Sequence, residues 1–272
     1  MKHLKHCSDM MKIFIPLSLI ALLVGCTAGN SIKNEGSEIN STEIWNVKEE
    51  DSITSTVETP ISIEKKEISI LEKRMIEAGL VDIQSVNPTI QTDVKYATTD
   101  NFMGRILYEG YDKVYLQPEV AERLSKAQKA LQEIDSTLTL LVFDGTRPRS
   151  VQQEMWDALD SIPFNERVKF VSNPKNGSIH NYGCAVDLTI MNKYSGGWLD
   201  MGAGYDDLRK IAYPRHEAKF LSSGELTQLQ VENRKLLRQV MKTGGFWVIE
   251  TEWWHFNAIS RVKANELFDI VE

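Results

Sequence analysis

Four stretches of the chain carry apolar residues at every third or fourth position, a pattern that predicts amphipathic helices. They cover residues 67–79, 118–134, 150–159 and 225–243. The second is the clearest, because Pro118 stands near its start, where proline suits a helix. The fourth is followed by Gly244 and Gly245, and glycine commonly ends a helix.

Shorter apolar stretches bounded by turn-forming residues predict strands. They cover residues 89–94, 137–143, 184–190 and 246–249. The second leads into the turn DGTRP at residues 144–148, which would hold Arg147 at the end of a strand. The order of the elements predicts an α+β fold, a single domain with a mainly antiparallel sheet and helices packed on it.

The beginning of the chain predicts export. Three lysines precede an apolar run at residues 13–24, which is shorter than the roughly twenty residues that span a bilayer. Residues 1–25 are therefore expected to be a signal peptide. The run ends in LVGC, which resembles the lipobox of bacterial lipoproteins, so Cys26 would carry the lipid after cleavage. The other interpretation is an ordinary secretory signal that is cleaved nearby.

The next segment, residues 26–65, is rich in polar residues and has no sustained apolar period. It is predicted to be a flexible tether from the lipidated Cys26, with a folded N-terminal extension as the alternative. Residues 66–272 are then long enough for one domain with a sizeable core.

Composition excludes some functions and simplifies the search for a site. The formal net charge is −7, which gives no support to nucleic-acid binding. Of three cysteines, Cys7 leaves with the signal and Cys26 would be lipidated, so Cys184 has no disulfide partner. Two histidines also leave with the signal, and the three that remain are His180, His216 and His255.

The segment SIHNYGCAVD, at residues 178–187, supplies two candidate metal ligands, His180 and Asp187. In a strand that follows Gly183, Asp187 falls on the opposite face from Val186 and the apolar residues that can line the core. The glycine turn can bring His180 back beside Asp187. Taken alone, such a histidine or aspartate is more often a structural residue than a ligand.

The segment ETEWWHF supplies Glu252 and His255. In a straight strand these side chains would point to opposite faces, so both can reach one site only if the backbone between them is irregular. Glu252 is therefore expected on a loop. Apolar walls for the site are expected from Trp253, Trp254 and Phe256. The alternative is that both tryptophans lie in the core with the charges at its rim.

Together the two segments offer two imidazoles and two carboxylates. Two imidazoles and one carboxylate suffice to bind a catalytic zinc with an open fourth position, and a spare carboxylate can carry a proton. The chain contains no HExxH pattern and no CxxC pair, which excludes the common zinc-protease helix and the zinc ribbon. The two segments therefore predict a metallohydrolase.

At these residues the chain resembles the VanX-type D-alanyl-D-alanine dipeptidases of the zinc D,D-peptidases, peptidase family M15. The matching motifs are SxHxxGxAxD at 178–187, EWWHF at 252–256, DGTRP at 144–148 and KYATTDNFMG at 95–104. The likeness extends from about residue 66 to the C-terminus. The chain departs from the family pattern at Thr146, where an aromatic residue is common, at Cys184, and in its lipoprotein leader.

The resemblance implies one zinc ion per chain in a cleft on the sheet, held by His180, Asp187 and His255. It also implies that Glu252 is the general base and that Arg147 stabilises the transition state. The expected reaction is hydrolysis of the D-alanyl-D-alanine dipeptide to two D-alanines by a metal-activated water. Without the resemblance, Arg147 could equally be a surface or capping arginine.

A free dipeptide requires an acidic group at one end of its pocket and hydrogen-bond donors at the other. Asp206 is the candidate for the substrate ammonium, and Ser178 is a candidate donor to the substrate. Both could instead be structural, Asp206 as a helix cap and Ser178 as a turn hydroxyl.

Two other functions stay open on the sequence. A D,D- or L,D-carboxypeptidase that trims peptidoglycan stem peptides suits the predicted location, because D-Ala-D-Ala is made in the cytoplasm. A non-catalytic, zinc-stabilised module that binds cell-wall peptide is the other, and the presence of Glu252 counts against it. The expected location is extracytoplasmic, in the periplasm or at the cell surface, with the membrane contacted through the lipid anchor.

Overall fold

The computed structural model of the chain describes residues 68–272, and the predicted signal peptide and tether lie outside them. The helices of this part are α1 (Ile70–Glu77), α2 (Ile83–Val86), α3 (Pro118–Ile134), α4 (Arg149–Asp157), α5 (Glu217–Ser223), α6 (Gln228–Thr243) and α7 (Arg261–Leu267). The strands are β1 (Val81–Asp82), β2 (Gln91–Thr92), β3 (Tyr115–Leu116), β4 (Leu138–Asp144), β5 (Ala185–Asn192), β6 (Trp247–Val248) and β7 (His255–Asn257).

Five strands form the central sheet, in the order β2-β4-β5-β7-β6. The pair β2–β4 is parallel, and the other three pairs are antiparallel. Strands β1 and β3 form a separate antiparallel pair. The predicted α+β fold with a mainly antiparallel sheet is therefore confirmed.

The sequence located the long helices well. Helix α3 has the predicted bounds, with Pro118 at its start and a buried stripe of apolar side chains that includes Leu124 and Leu131. Burial of each such leucine contributes about 1.5–3 kcal/mol, which is how an amphipathic helix is held against a core. Helix α6 begins three residues later than predicted, because the Thr227 side chain caps it by accepting from the backbone N–H of Gln230.

Two predicted strands are shorter than expected. Only Gln91–Thr92 of residues 89–94 pairs as a strand, because a 3-10 turn at Lys95–Ala97 begins shortly afterwards. Only Trp247–Val248 of residues 246–249 pairs, because the chain bends between residues 250 and 254 before it enters β7. The predicted strand at 184–190 is in place as β5.

The two longest strands, β4 and β5, lie side by side at the centre of the sheet. The register shifts between Val142 and Asp144, so Phe143 is an extra residue in β4 and Asp144 comes opposite Asp187. Such a bulge redirects side chains at a sheet edge or beside an active site. Among residues 68–272, no helix is both long enough and apolar enough to cross a bilayer.

Candidate metal centre and active site

The sheet places the two candidate ligands of β5 and β7 beside each other. Asp187 lies directly opposite His255 in the antiparallel register, so the two side chains project from the same face. His180 reaches them from a 3-10 turn at Ile179–Tyr182. This turn ends at Gly183, whose φ of 68° is readily adopted only by glycine.

The three ligand atoms converge. The His180 Nε2 atom lies 3.0 Å from His255 Nδ1 and 3.3 Å from Asp187 Oδ1. The His255 Nδ1 atom lies 3.0 Å from the same carboxylate oxygen. Donor atoms that are about 2.0–2.1 Å from a tetrahedral zinc lie roughly 3.3 Å apart, so the spacing fits one small ion.

The second ring nitrogen of each histidine is fixed by a hydrogen bond to the protein. The His180 Nδ1 atom lies 2.6 Å from the Gly145 carbonyl oxygen, and His255 Nε2 lies 2.9 Å from Asn257 Oδ1. Each of these nitrogens donates its proton to an oxygen, which leaves the lone pair of the other ring nitrogen for the shared centre. The residue at position 145 is restricted to glycine, because a Cβ there would lie 2.6 Å from Val114 Cγ1.

Two nitrogen lone pairs and a carboxylate that face one another require a positive charge between them. Burial lowers the pKa of His255, but the neighbouring Asp187 and Glu252 outweigh it, and the pKa is raised. Burial raises the pKa of Asp187, but the charges and hydrogen bonds of His180 and His255 hold it well below its usual range. A metal ion would supply this charge in place of a proton.

Glu252 lies outside β7, in a segment with bends at residues 253 and 254. The irregular backbone that Glu252 and His255 need in order to reach one site is therefore present. Glu252 Oε2 lies 3.9 Å from His255 Nδ1. The side chain is 35% exposed because it faces an open cleft. Burial on its other sides raises the pKa of the carboxyl group.

The predicted apolar walls are only partly correct. Trp254 lines the cavity at the site, whereas Trp253 and Phe256 are buried in the core and do not line it. Three other aromatic side chains, Tyr96, Phe102 and Phe170, line the cavity instead. The alternation of side chains along a strand explains part of this difference, because Phe256 points away from the face that carries His255.

Arg147 is fixed in the site by Asp144. The Asp144 Oδ2 atom accepts from Arg147 Nη2 at 2.6 Å and from Nε at 3.0 Å. The guanidinium also lies over the Tyr96 ring, 5.0 Å from its centroid, and 3.7 Å from an oxygen of Asp187. Arg147 is 11% exposed and caps no helix, so its interpretation as a surface or capping residue is wrong.

Asp206 lines the same cavity and carries a strained backbone. Its φ of 57° is positive, which is uncommon for a residue other than glycine and often marks a functional position. The Tyr96 hydroxyl donates to Asp206 Oδ2 at 3.2 Å. Burial, and then the charge of Asp187, raise the pKa of Asp206 to about 8. No helix within residues 68–272 is capped by Asp206, so that interpretation is wrong.

Ser178 also lines the cavity and is 6% exposed. Its hydroxyl has no hydrogen-bond partner within the described part of the chain. Its backbone N–H, by contrast, donates to the Asn181 side chain at 2.6 Å. Ser178 is the N-cap residue of the turn Ile179–Tyr182 and forms a capping box with Asn181, so its interpretation as a turn residue is consistent with the structure.

The sequence did not reveal several side chains that complete the site. Tyr96 contacts both Asp206 and Arg147, and the Tyr205 hydroxyl donates to Asp187 Oδ2 at 3.3 Å. Asn257 could have been found, because it lies two residues after His255 and therefore on the same strand face. Tyr205 gave no such signal, because its contact depends on a turn that reaches the sheet only in the folded chain.

Comparisons with known proteins identify the family of the chain. The family model of Peptidase M15, described as D-Ala-D-Ala dipeptidase, matches residues 76–271. A D-alanyl-D-alanine dipeptidase of Escherichia coli K12 is 32% identical over 177 residues, which are 65% of this chain and 83% of that protein. One of Enterococcus faecium is 30% identical over 210 residues, 71% of this chain and 98% of that protein.

Among solved structures, the LdcB LD-carboxypeptidase shares 18% identity with a TM-score of 0.34, over 56% of this chain and 63% of that one. A likeness at that level says nothing about activity. The family match, by contrast, spans most of the chain and includes every residue of the metal centre. The chain therefore belongs to the M15 family of D-Ala-D-Ala dipeptidases and is a metallopeptidase.

Proposed function

We propose that the protein hydrolyses the D-alanyl-D-alanine dipeptide to two D-alanines, with one zinc ion held by His180, Asp187 and His255. One observation carries the proposal. The three ligand atoms lie 3.0–3.3 Å apart, next to Glu252, an acid that is not needed as a ligand. The names of the two relatives described above support the choice of substrate.

Zinc held by these residues would polarise the scissile carbonyl and lower the pKa of the attacking water to about 7. Glu252 takes a proton from this water and later returns it to the leaving amine, so no covalent intermediate with the enzyme is needed. The burial that raises the pKa of Glu252 makes its carboxylate a stronger base than an exposed glutamate, which suits this exchange.

Arg147 donates to the carbonyl oxygen as negative charge develops on it. Its Nη2 and Nε atoms are held by Asp144, which leaves Nη1 without a protein partner among the described residues. A donor that is fixed in advance costs no reorganisation during the reaction, which is the basis of transition-state stabilisation by such groups.

The substrate ammonium binds to Asp206, supported by the Tyr96 hydroxyl, and Ser178 donates a hydrogen bond to the substrate. The cavity at the site has a volume of about 220 Å³. Pockets for drug-sized ligands usually measure about 300–1,000 Å³, so this one suits a ligand as small as a dipeptide.

A Glu252→Gln variant tests the mechanism. It keeps the shape of the side chain but cannot accept the proton, so turnover of D-Ala-D-Ala should fall by about a hundredfold or more while zinc is still bound. Zinc content by mass spectrometry and D-alanine release measure the two effects. Unchanged turnover of Glu252→Gln would exclude Glu252 as the base. A wild-type protein that binds zinc but releases no D-alanine would indicate a binding module.

The predicted lipid anchor favours a second candidate, a D,D- or L,D-carboxypeptidase that acts on peptidoglycan stem peptides. Release of D-alanine from free D-Ala-D-Ala should be compared with release from an N-blocked tripeptide that ends in D-Ala-D-Ala. A preference for the free dipeptide is expected, because Asp206 binds an ammonium that the blocked peptide lacks. A preference for the blocked peptide would make the protein a carboxypeptidase.

The proposed location is extracytoplasmic, with Cys26 lipidated and residues 26–65 as a tether. This proposal rests on the sequence LVGC at the end of the apolar run. Mass spectrometry of the N-terminal peptide from membranes should find a lipid on Cys26, and a Cys26→Ala variant should leave the membrane fraction. An unmodified Cys26 would favour an ordinary secretory signal.

A further inference from the structure

Helix α6 directs polar side chains at the segment of residues 200–212, which carries Asp206. The Gln230 side chain donates to Asp200 Oδ2 at 2.7 Å, and the Asn233 side chain donates to the Asp200 carbonyl oxygen at 2.8 Å. These two side chains are three positions apart on the helix, so they share one face. This face of α6 therefore holds the beginning of the segment.

Arg234, the next residue of α6, contacts the segment at two places. Its Nε atom donates to the Met201 carbonyl oxygen at 2.6 Å, and its Nη1 and Nη2 atoms donate to the Ile211 carbonyl oxygen at 3.1 Å each. The two carbonyls are ten residues apart in the chain, and Asp206 lies midway between them. One guanidinium therefore closes the chain between them into a loop, which we call the 201–211 loop.

The burial of Arg234 shows how much depends on these contacts. Its side chain is fully buried, and burial lowers the pKa of the guanidinium. Removal of a charge from water costs free energy unless protein groups replace the lost hydrogen bonds. Glu217 lies 3.6 Å from Arg234 Nη1, but its shorter contacts, at 2.7 Å, are with Arg238. Among the described residues, the two loop carbonyls are therefore the closest acceptors of Arg234.

The middle of the 201–211 loop has less support than its ends. Met201 is buried, whereas Leu208 and Arg209 are exposed. Asp206 nevertheless has a φ of 57°, and such a backbone conformation persists in a residue other than glycine only where the surrounding structure holds it. The fixed ends of the loop supply this constraint, together with the hydrogen bond from Tyr96.

We propose that Arg234 is a positioning residue that sets the place of Asp206 and thereby the preference of the enzyme for substrates with a free amino group. This inference rests on the proposed function, in which Asp206 binds the substrate ammonium. Arg234 does not line the cavity, so it acts through the backbone of the 201–211 loop. The metal ligands Asp187 and His255 are held separately, by the pairing of β5 with β7.

An Arg234→Lys variant tests this role, because lysine keeps the charge but loses the planar fork that reaches both carbonyls. Loss of one hydrogen bond to a charged group should raise KM for D-Ala-D-Ala by about fivefold or more, while kcat and zinc content stay nearly constant. Asn233→Ser removes only the contact with the Asp200 carbonyl. It should change KM in the same direction by a smaller factor, which tests the proposal even if Arg234→Lys does not fold.

Lys235→Gln is the matched control, because it removes a positive charge from the next, exposed position of α6. It should leave KM and kcat unchanged. In the Asp206→Asn background, Arg234→Lys should raise KM by less than about a further twofold, because the group that it positions has lost its charge. Losses that multiply in the double variant would show a general structural effect and overturn the proposal. An unchanged KM in Arg234→Lys would overturn it as well.

A binding measurement separates this proposal from the proposed function. The dissociation constants of D-Ala-D-Ala and N-acetyl-D-Ala-D-Ala can be measured by calorimetry in zinc-loaded Glu252→Gln, with and without Arg234→Lys. If the enzyme fails to cleave D-Ala-D-Ala but Arg234→Lys weakens binding of the free dipeptide alone, the reaction is wrong and the role of Arg234 is right. If D-Ala-D-Ala is cleaved and both ligands respond alike, the reverse holds.

Discussion

The metal centre and the turn at residues 205–206 place their side chains in different ways. Asp187 and His255 lie opposite each other in a hydrogen-bonded ladder, so backbone register fixes their separation. Asp206 lies on a turn with a positive φ, and its carboxylate is held by the Tyr96 side chain. Two of the three proposed metal ligands are thus built on the rigid sheet, and the proposed ammonium-binding group is built on a loop that can vary.

The largest effect is expected from a substitution of the metal ligand on the sheet. An Asp187→Ala variant loses a ligand that no neighbour on the ladder can replace, so zinc affinity should fall by more than about a hundredfold and turnover should be lost with it. Titration with a competing chelator measures the affinity. Thr189→Val is the control, because Thr189 lies on the same strand face with an unpaired hydroxyl. It should fold, bind zinc and stay active.

A smaller effect is expected for Arg147, which lies near Asp187 of the metal centre and contacts Tyr96, the partner of Asp206. Arg147→Lys keeps the charge but loses the fork that Asp144 orients, so kcat should fall by about a hundredfold while zinc content stays constant. Steady-state kinetics with D-Ala-D-Ala gives this value. A change confined to KM would assign Arg147 to substrate binding and would weaken the distinction between the regions.

On the turn, the expected effect is on binding. Asn readily adopts a positive φ, so Asp206→Asn should keep the turn but lose the charge for the ammonium. KM for D-Ala-D-Ala should rise by about tenfold or more, with kcat and zinc content nearly unchanged. Loss of zinc in this variant would show that the turn and the metal centre are not independent.

The smallest effect concerns stability. The pKa of Asp206 is raised to about 8 by burial and by Asp187, so the folded protein binds this proton more tightly than the unfolded chain does. Stability should therefore decline as pH rises from about 4 towards 8, as far as Asp206 contributes. In chelator-treated protein, Asp206→Asn should raise the melting temperature more at pH 7.5 than at pH 4.5. An equal shift at both pH values would contradict a buried, uncompensated carboxylate.

The sequence predicted those features that depend on local patterns. Helix α3 has its predicted bounds because a terminal proline and a regular apolar stripe agree. The irregular backbone before His255 followed from strand alternation alone. The strands β2 and β6 were predicted too long, because the length of a short strand depends on what pairs with it rather than on its own residues.

The site was predictable where motifs carry its residues, and not where contacts between distant segments complete it. His180, Asp187 and His255 were named from two segments, and the structure brings them together. The contact of Tyr96 with Asp206 joins residues that are 110 positions apart, and no pattern in either segment predicts it. The prediction that Trp253 lines the site was wrong for the same reason. The direction of this side chain is decided by its neighbours in the fold and not by those in the sequence.

The bulge at Phe143 has a consequence for folding. It brings Asp144 opposite Asp187 once β4 and β5 have paired, and Asp187 comes opposite His255 once β5 and β7 have paired. The closure of such long chain segments makes these contacts late and cooperative. An unfolded chain therefore has no assembled centre, and an ion bound there stabilises the native state alone, by about 2.7 kcal/mol at a free concentration one hundred times the dissociation constant. The melting temperature should then rise with the free zinc concentration, so that metal supply also sets how much of the protein stays folded.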